Sequence, residues 1–559
     1  MASQTLLPQI SLSATEQKIR DLLVDYAAAK DAQTGSVPTV LRVSGGWVRD
    51  KVLGNESNDL DIAISNLSGE EFARGLMAYI GGNMDKYAGV VKKVTSIHTI
   101  ASNPEKSKHL ETCTTKLYDL DIDFVNLRSE EYTDQSRIPV IKFGTPEEDA
   151  LRRDATLNAL FYNLQTRQVE DYTGKGLTDL YQGVLRTPLQ PFQTFLDDPL
   201  RVLRLIRFAS RFNFVIESET LHAMTSPEIK VALSQKISRE RIGVEVEKIL
   251  QSQNAGYGLK LITYTGLFEL IFSMGPFEEA VRAYNPDLTE LLRESTISSS
   301  EQTSYTVELL PVFAQYIHSQ NQQNSPVGKV FTSLSQERKM QKLFWLLTVA
   351  QPLQSLVLVT NPKKRGTLAV ELLIKEGVKL GNKDAEPVAK IITLQPTLNK
   401  FIETFTKSHE TVTRSDVGLM IRSYGEWWPL ALTFNAFFEF LIHASTIVQL
   451  TPFNGACPRD PLDTSVVTDS NTQALGALAQ EALTKYNALY QYIQEQQLGD
   501  AYNWKHVVDG KVLSKTLELK PGPWMKAVND EIMKWQLDHP GEGKDECIEY
   551  IKTVIHKFV

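Results

Sequence analysis

Cysteine is almost missing from this chain. Its 559 residues include three, Cys113, Cys457 and Cys547. They stand far apart and form no ligand pair, which excludes a disulfide framework and a cysteine-rich zinc site and points to a reducing compartment. Long apolar runs are missing too, so no transmembrane span is expected. The opening stretch MASQTLLPQISLSATEQK holds no arginine, the first being Arg20, and makes a poor transit peptide and a poor secretory signal. Excess positive charge is absent, with a net charge of −8 and a pI of about 5.8. That weighs against a protein that coats nucleic acid non-specifically; a basic surface, if RNA is bound, has to be local. No internal repeat is visible. What remains is ordinary for globular proteins, 42% hydrophobic and 23% charged, at a length that suits roughly two to four domains.

Periodicity divides the chain in two. Ser13 and Glu16 read as a capping box for a helix over 17–29. Strands and short helices then alternate to about Asn163, and 169–187 reads as a turn-rich connection. From Pro199 onward the apolar spacing is helical over 201–212, 239–251, 341–350, 367–376, 427–447 and 472–496. Polar stretches at 295–304 and 319–325 read as loops.

The most informative segment is LRVSGGWVRDKVLGNESNDLDIAIS. Residues 40–43 read as a strand, Ser44, Gly45 and Gly46 as a tight turn whose bare backbone admits a phosphate, and 47–53 as a helix whose free N–H groups favour an anion. The next strand carries Asp59 and Asp61. Residues two apart on a strand share a face, so their carboxylates are adjacent and call for a cation. Mg²⁺ suits the pair because it takes carboxylates together with substrate phosphates. A phosphate turn beside a two-carboxylate strand is equipment for nucleotidyl transfer with two metals.

In this order the elements resemble the nucleotidyltransferase head of the DNA polymerase β superfamily. The form GGWVRD followed by DLD is similar to its class II branch, the CCA-adding enzymes and bacterial-type poly(A) polymerases. Four further motifs extend the resemblance over residues 40–250. In ALRRDATLN, Arg153 and Asp154 form a couple that can hold ribose hydroxyls, with Asn158 four residues on. The resemblance implies that they select ribose over deoxyribose. In LDIDFVNLR, Asp121 and Asp123 share a strand face; the spacing of Asp123 to Arg128 in the resembling pattern makes it the preferred third carboxylate, solvation of both being the alternative. The polar 102–109 segment is similar to the loop that helps relatives change from adding C to adding A. In DYTGKGLTDL, Gly174 and Gly176 give torsional freedom at what the resemblance implies is a hinge.

DDPLR carries the next motif. Asp198 caps a helix in the bland reading, with Arg201 solvated. The resemblance makes the pair an amino-acid template, and the chemistry agrees. Asp198 accepts from the exocyclic amino group of cytosine or adenine while Arg201 donates to the ring nitrogen. Uracil and guanine reverse this pattern and leave buried groups unpaired, which discriminates by roughly 10⁴–10⁵. Arg204, Arg207 and Arg211 follow at helical spacing, and Arg204 is the candidate for the triphosphate together with Gly45, Gly46 and Arg49. Arg241 and Glu245, in R-x-x-x-E, read as a structural i,i+4 pair. Farther on, 361–365 (including Lys363, Lys364 and Arg365) and 520–526 are basic, turn-rich candidates for tRNA phosphates.

The expected fold is α+β: a polymerase-β-like head with a small β-sheet (1–165), then an all-helical neck (166–270), body (271–450) and tail (451–559). The expected activity is addition of CCA to tRNA 3′ ends from CTP and ATP with Mg²⁺. A CC-only or A-only enzyme, a poly(A) polymerase and an inactive tRNA-binding factor are the rivals. tRNA, CTP and ATP are the expected partners, with no membrane and no obligate protein partner. The expected location is cytoplasmic, with nuclear and mitochondrial pools as further options.

Overall fold

The computed structural model describes residues 8–35, 37–57, 59–87, 89–90, 98–100, 112–133, 136–274, 277–287, 298–354, 356–361, 363, 365–408, 411–451, 453, 455, 466–520 and 522–559. The loop expected at 102–109, and Lys364, lie outside them. Contacts group the chain into two units. The first takes in residues up to Ile249, with Tyr264–Leu267; the second takes in Leu250–Thr263 and most of the chain from Phe268 on.

The first unit opens with α1 (Ala14–Thr34). Its capping box is complete: Ser13 Oγ accepts from Glu16 N–H at 3.3 Å, and Glu16 accepts from Ser13 N–H at 2.7 Å. Apolar residues three and four apart, Ile19, Leu22, Leu23 and Tyr26, are buried. Then follow β1 (Leu41–Ser44), α2 (Gly46–Val52), β2 (Leu60–Ile64), α3 (Gly69–Gly82), β3 (His98–Ile100), β4 (Thr112–Leu117) and β5 (Leu120–Asn126). A hairpin of β6 (Arg128–Thr133) and β7 (Ser136–Phe143), the short α4 (Pro146–Leu151), β8 (Leu160–Asn163) and β9 (Val169–Asp171) complete the α/β part. Seven strands form one sheet in the order β3-β4-β5-β2-β1-β8-β9. Within it β2 and β5 run parallel, with Asp61 opposite Asp123, and the other neighbours run antiparallel. Rings of α1, α3 and β5 fill one face: Tyr26 lies 5.0 Å from Phe72, which lies 5.2 Å from Phe124.

Helices follow: α5 (Gly176–Gln182), α6 (Pro191–Asp197), α7 (Leu200–Phe212), α8 (Ser218–Met224), α9 (Pro227–Lys236) and α10 (Arg239–Leu250). The 169–187 stretch is therefore more ordered than its composition suggests: a strand, a helix and a two-residue strand, β10 (Val184–Leu185). The Asp171 carboxylate organises it by accepting from Thr173 N–H at 3.1 Å and Leu177 N–H at 3.0 Å. Gly174 has a φ of +66°, a conformation that L side chains rarely adopt, whereas Gly176 is there for closeness. A Cβ on Gly176 would stand 2.8 Å from both Leu160 Cδ2 and the Thr156 carbonyl oxygen.

The second unit is helical, with two-residue strands Val357–Leu358 and Thr367–Leu368 on either side of the basic 361–365 segment in the sequence. Phe313, Phe344, Phe434, Phe437 and Phe440 meet at its centre. A separate apolar cluster near the C-terminal end includes Val528, Ile532, Trp535, Ile551 and Cys547. Ser299–Ser319 is one helix, so residues 299–304 are not loop as expected: Ser298 caps it by accepting from Glu301 N–H at 3.2 Å, and Gln302, Thr303 and Thr306 are buried. The 367–376 segment begins as strand, continues as a short helix over Ala369–Leu372 and widens to a π turn over Leu373–Gly377. Among the described residues no helix is long and apolar enough to cross a membrane.

Candidate active site

One cavity of about 610 Å³ in the first unit gathers the phosphate turn, the paired aspartates, the RRD segment and the start of α7. Eight arginines and six carboxylates line it, so a locally positive site sits within an acidic chain.

The turn between β1 and α2 places Gly45 at a φ of +72°, a conformation that L side chains rarely adopt. A Cβ there would also lie 2.8 Å from Arg153 Nη1. The glycine thus keeps the turn open and lets Arg153 close over it. Behind the turn, Trp47 Nε1 donates to Glu16 at 3.0 Å, and Lys51 pairs with the same carboxylate at 3.0 Å. Asp59 precedes β2 and is exposed; Asp61 lies on β2 and is largely withdrawn from solvent. Burial, with the Asp59 and Asp123 carboxylates beside it, pushes the Asp61 carboxyl up to about 6, against the pull of Arg153. Like charges held together in this way fit a divalent cation that brings phosphate oxygens with it. Asp123 stands beside Asp61 in register and accepts from Thr114 Oγ1 at 2.5 Å, but it does not line the cavity. Asp121 is exposed and pairs with Lys116 at 3.3 Å. No set of three metal-ligating side chains converges among the described residues.

The RRD segment is held by a carboxylate absent from the expected site. Asp149, on α4, accepts from Arg152 Nε at 3.0 Å and from Arg153 Nε and Nη2 at 3.1 and 2.7 Å. Burial alone would raise its carboxyl, but Arg153 and Arg152 bring it below the usual range. The three- and four-residue spacing from Asp149 to the arginines was the available sequence signal. Asp154 is buried and accepts from Asn158 Nδ2 at 2.9 Å and Arg204 Nε at 2.6 Å. Burial opposes its ionisation and the Arg204 charge overcomes that, leaving it well below the ordinary carboxylate range.

Arg49 lines the cavity but is deeply buried. Its Nη1 donates to Asn158 Oδ1 at 2.5 Å, its Nε to Asp50 at 2.9 Å, and its guanidinium lies 4.8 Å from the Phe212 ring. Asp198 Oδ1 accepts from Leu200 N–H at 3.2 Å, the capping bond of the bland reading, while the residue also lines the cavity. Arg201 is buried and donates through Nη2 to the Arg152 carbonyl at 2.8 Å. The α7 stripe is paired: Arg204 with Asp154, Arg207 with Glu245 at 2.5 Å and Arg211 with Asp50 at 3.7 Å. Glu245 therefore turns to Arg207, and Arg241 reaches Asp198 at 4.0 Å, in place of an internal Arg241–Glu245 pair. Lys363 and Arg365 are exposed in the second unit and are not among the residues that line this cavity.

A small mixed sheet with a phosphate turn beside adjacent carboxylates, continued by helices, defines a nucleotidyltransferase. The family model described as "Poly A polymerase head domain" matches residues 41–186, and the one described as "Probable RNA and SrmB- binding site of polymerase A" matches 213–277. The mitochondrial CCA tRNA nucleotidyltransferase of Candida glabrata is 42% identical over 99% of this chain and 98% of its own. Its Saccharomyces cerevisiae counterpart is 40% identical over 99% and 95%. The Thermotoga maritima CCA-adding enzyme complexed with tRNA-CCA shares the fold, with a TM-score of 0.51 at 17% identity over 97% of this chain and 96% of that one. The chain belongs to the class II CCA tRNA nucleotidyltransferase family and resembles its fungal members.

Proposed function

We propose that this chain adds C, C and A to the 3′ end of tRNA from CTP and ATP, releasing pyrophosphate without a nucleic-acid template. The observation that carries this reading is the meeting, in one positive cavity, of Asp59 and Asp61 with Arg153, Asp154, Asp198 and Arg201. Asp59 and Asp61 would hold Mg²⁺, with Asp123 lending its charge from the neighbouring strand. When bound, two such ions supply activation of the 3′-hydroxyl and neutralisation of the leaving pyrophosphate. With the Gly45 N–H already donated to the Leu160 carbonyl at 3.1 Å, it is the following N–H groups, at the start of α2, that the turn offers to the triphosphate. Arg204 contributes at its edge, and Arg49, tied to Asp50 and Asn158, acts through its charge from behind. Arg153, Asp154 and Asn158 take the ribose. Asp198 and Arg201 read the Watson–Crick edge and admit C and A.

The four-part division into head (1–165), neck (166–270), body (271–450) and tail (451–559) belongs to this reading, with Lys363, Lys364 and Arg365 contacting tRNA phosphates from the body. Relatives whose names say mitochondrial support an organellar pool beside the cytoplasmic and nuclear ones. Fractionating cells that express the tagged chain tests that.

The deciding experiment incubates the protein and Mg²⁺ with tRNA lacking its CCA end, using CTP alone, ATP alone and both. The expected products are C–C from CTP and C–C–A from the mixture. Stopping at C–C with both nucleotides, adding only A to a C–C end, or making a long A tail would each overturn it.

A further inference from the structure

We propose that Glu130 is a positioning residue for base selection, its buried carboxylate setting the orientation of the Arg201 guanidinium. The inference rests on the base-reading role proposed for Asp198 and Arg201. Glu130 stands on β6, in the hairpin outside the main sheet, and its side chain is only 5% exposed. Three guanidinium groups surround its carboxylate: Arg152 at 3.0 Å, Arg128 at 3.1 Å and Arg201 at 3.8 Å. All four residues line the cavity. Arg152 is itself gripped between Glu130 and Asp149, and its backbone carbonyl accepts from Arg201 Nη2 at 2.8 Å. Arg201 is thus fixed at a hydrogen bond on one side and drawn by charge on the other.

The physical need is clear. An arginine side chain is long and rotamer-rich, and one that must meet a ring nitrogen has to be ordered before the base arrives. Asp198 is shared with Leu200 N–H and Arg241, so the order of the Arg201 guanidinium does not rest on Asp198 alone. The 3.8 Å separation from Glu130 exceeds a hydrogen bond, so the carboxylate attracts Arg201 without forming one across that gap. Without the Glu130 charge, Arg128, Arg152 and Arg201 would face one another as three like charges; Arg152 keeps the Asp149 carboxylate as counter-charge, so the repulsion acts on Arg128 and Arg201. An arginine that misses the ring nitrogen no longer separates cytosine N3 from the uracil N3–H. Selection then falls although the metal-binding aspartates are untouched.

The test compares Glu130→Gln, Glu130→Asp and Asp198→Ala with the parent, measuring kcat/KM for CTP and UTP on tRNA lacking CCA, with melting temperatures alongside. Glu130→Gln is expected to lower the CTP/UTP preference by about tenfold, roughly 1.4 kcal/mol of discrimination. Glu130→Asp, which keeps the charge one methylene back, is expected to recover part of it. A folded Glu130→Gln with lower melting temperature but the parent's preference would show a scaffold residue and overturn the proposal. If Glu130→Gln does not fold, Glu130→Asp decides: a lowered preference supports positioning, and the parent's preference overturns it. An unchanged preference in the Glu130 variants with a changed one in Asp198→Ala sinks the Glu130 role alone. An unchanged preference in all three sinks the base-reading assignment beneath it.

Discussion

The two units use their interiors differently. The first buries Glu16, Arg42, Arg49, Asp50, Asp149, Asp154, Asp179, Arg201 and Glu245. Among the described residues of the second, the buried charged side chains are Lys342 and Asp384, which pair at 2.7 Å. Its centre is instead a set of phenylalanine rings, with Phe313 and Phe437 at 5.6 Å and Phe344 and Phe434 at 5.7 Å. Buried ion pairs are a poor source of stability, because desolvation offsets the attraction. The comparison teaches that the first unit keeps charge inside, in part around its cavity, and that the second is held by packing.

The sharpest break between the units is expected at Asp61. Replacing it with alanine should lower nucleotide addition by about a thousandfold or more, since a lost metal ligand removes several kcal/mol of transition-state stabilisation. tRNA retention in a gel-shift assay should persist, and melting in metal-free buffer should not drop, because burial and the Asp59 and Asp123 charges outweigh the pull of Arg153 on this carboxylate. Activity within about tenfold of the parent would refute the metal-site assignment.

Phe437→Ala is the mirror experiment. Truncating a buried aromatic costs roughly 3–5 kcal/mol, and in a unit of this size melting should fall on the order of 10 °C. The CTP/UTP preference, read below the melting temperature, should stay at the parent's value. A changed preference with unchanged melting would erase the contrast.

Asp198→Ala should act the other way round. Leaving an amino group unpaired costs roughly 1–3 kcal/mol, so CTP incorporation should drop by about tenfold while UTP and GTP rise relative to it. Losing the cap to Leu200 N–H accounts for about 1 kcal/mol of stability. The nucleotide ratio and the melting temperature, measured together, separate the two roles.

Acid gives the mildest test. Asp149 and Asp154 are held below their ordinary range, so at these two groups the unfolded first unit binds more protons than the folded one as pH falls below about 4, where Asp61, raised to about 6, is already protonated in the folded unit. Their stabilisation is complete above the unfolded value of about 4 and is lost as pH falls through the lower folded values. Among the described residues of the second unit, the acid with a lowered carboxyl is the exposed Glu481. The first unit should therefore lose structure at higher pH than the second. Trp47, which precedes all other tryptophans by nearly three hundred residues, reports on it alone through the difference between parent and Trp47→Phe fluorescence. Coincident acid transitions would count against the contrast.

The residues that converge on the cavity were legible because their motifs are local. The glycine turn, the two aspartates and the start of α7 each carry a short-range reason for their spacing, and the structure places Gly45, Asp61, Arg153 and Arg201 around one space. Glu130 was not legible, since Arg128 is its near neighbour but the partners that tie it to the site, Arg152 and Arg201, are 22 and 71 positions away along the chain. The grip on Arg49 escaped for the same reason: Asp50 is adjacent, but Asn158 is 109 residues away. The order in 169–187 was hidden because its polar, glycine-containing sequence looks like a turn until Asp171 and Asp179 find their bonds. Asp179 accepts from Thr156 at 2.6 Å and from Arg186 at 3.0 Å.

The parallel pairing of β2 with β5 sets a condition on every folded molecule. Leu60, Ile62 and Ile64 alternate with Asp61 and Ala63, and the register puts Asp61 beside Asp123. A slip of one residue would turn the leucine and isoleucines toward the cavity and Asp61 into the core. Such a chain would keep its mass, its charge and its helical spectrum, yet be catalytically silent. Counting active sites by a burst of incorporated nucleotide would therefore count correctly zipped strands, and the yield of refolding from denaturant can be scored by chemistry where spectroscopy is blind.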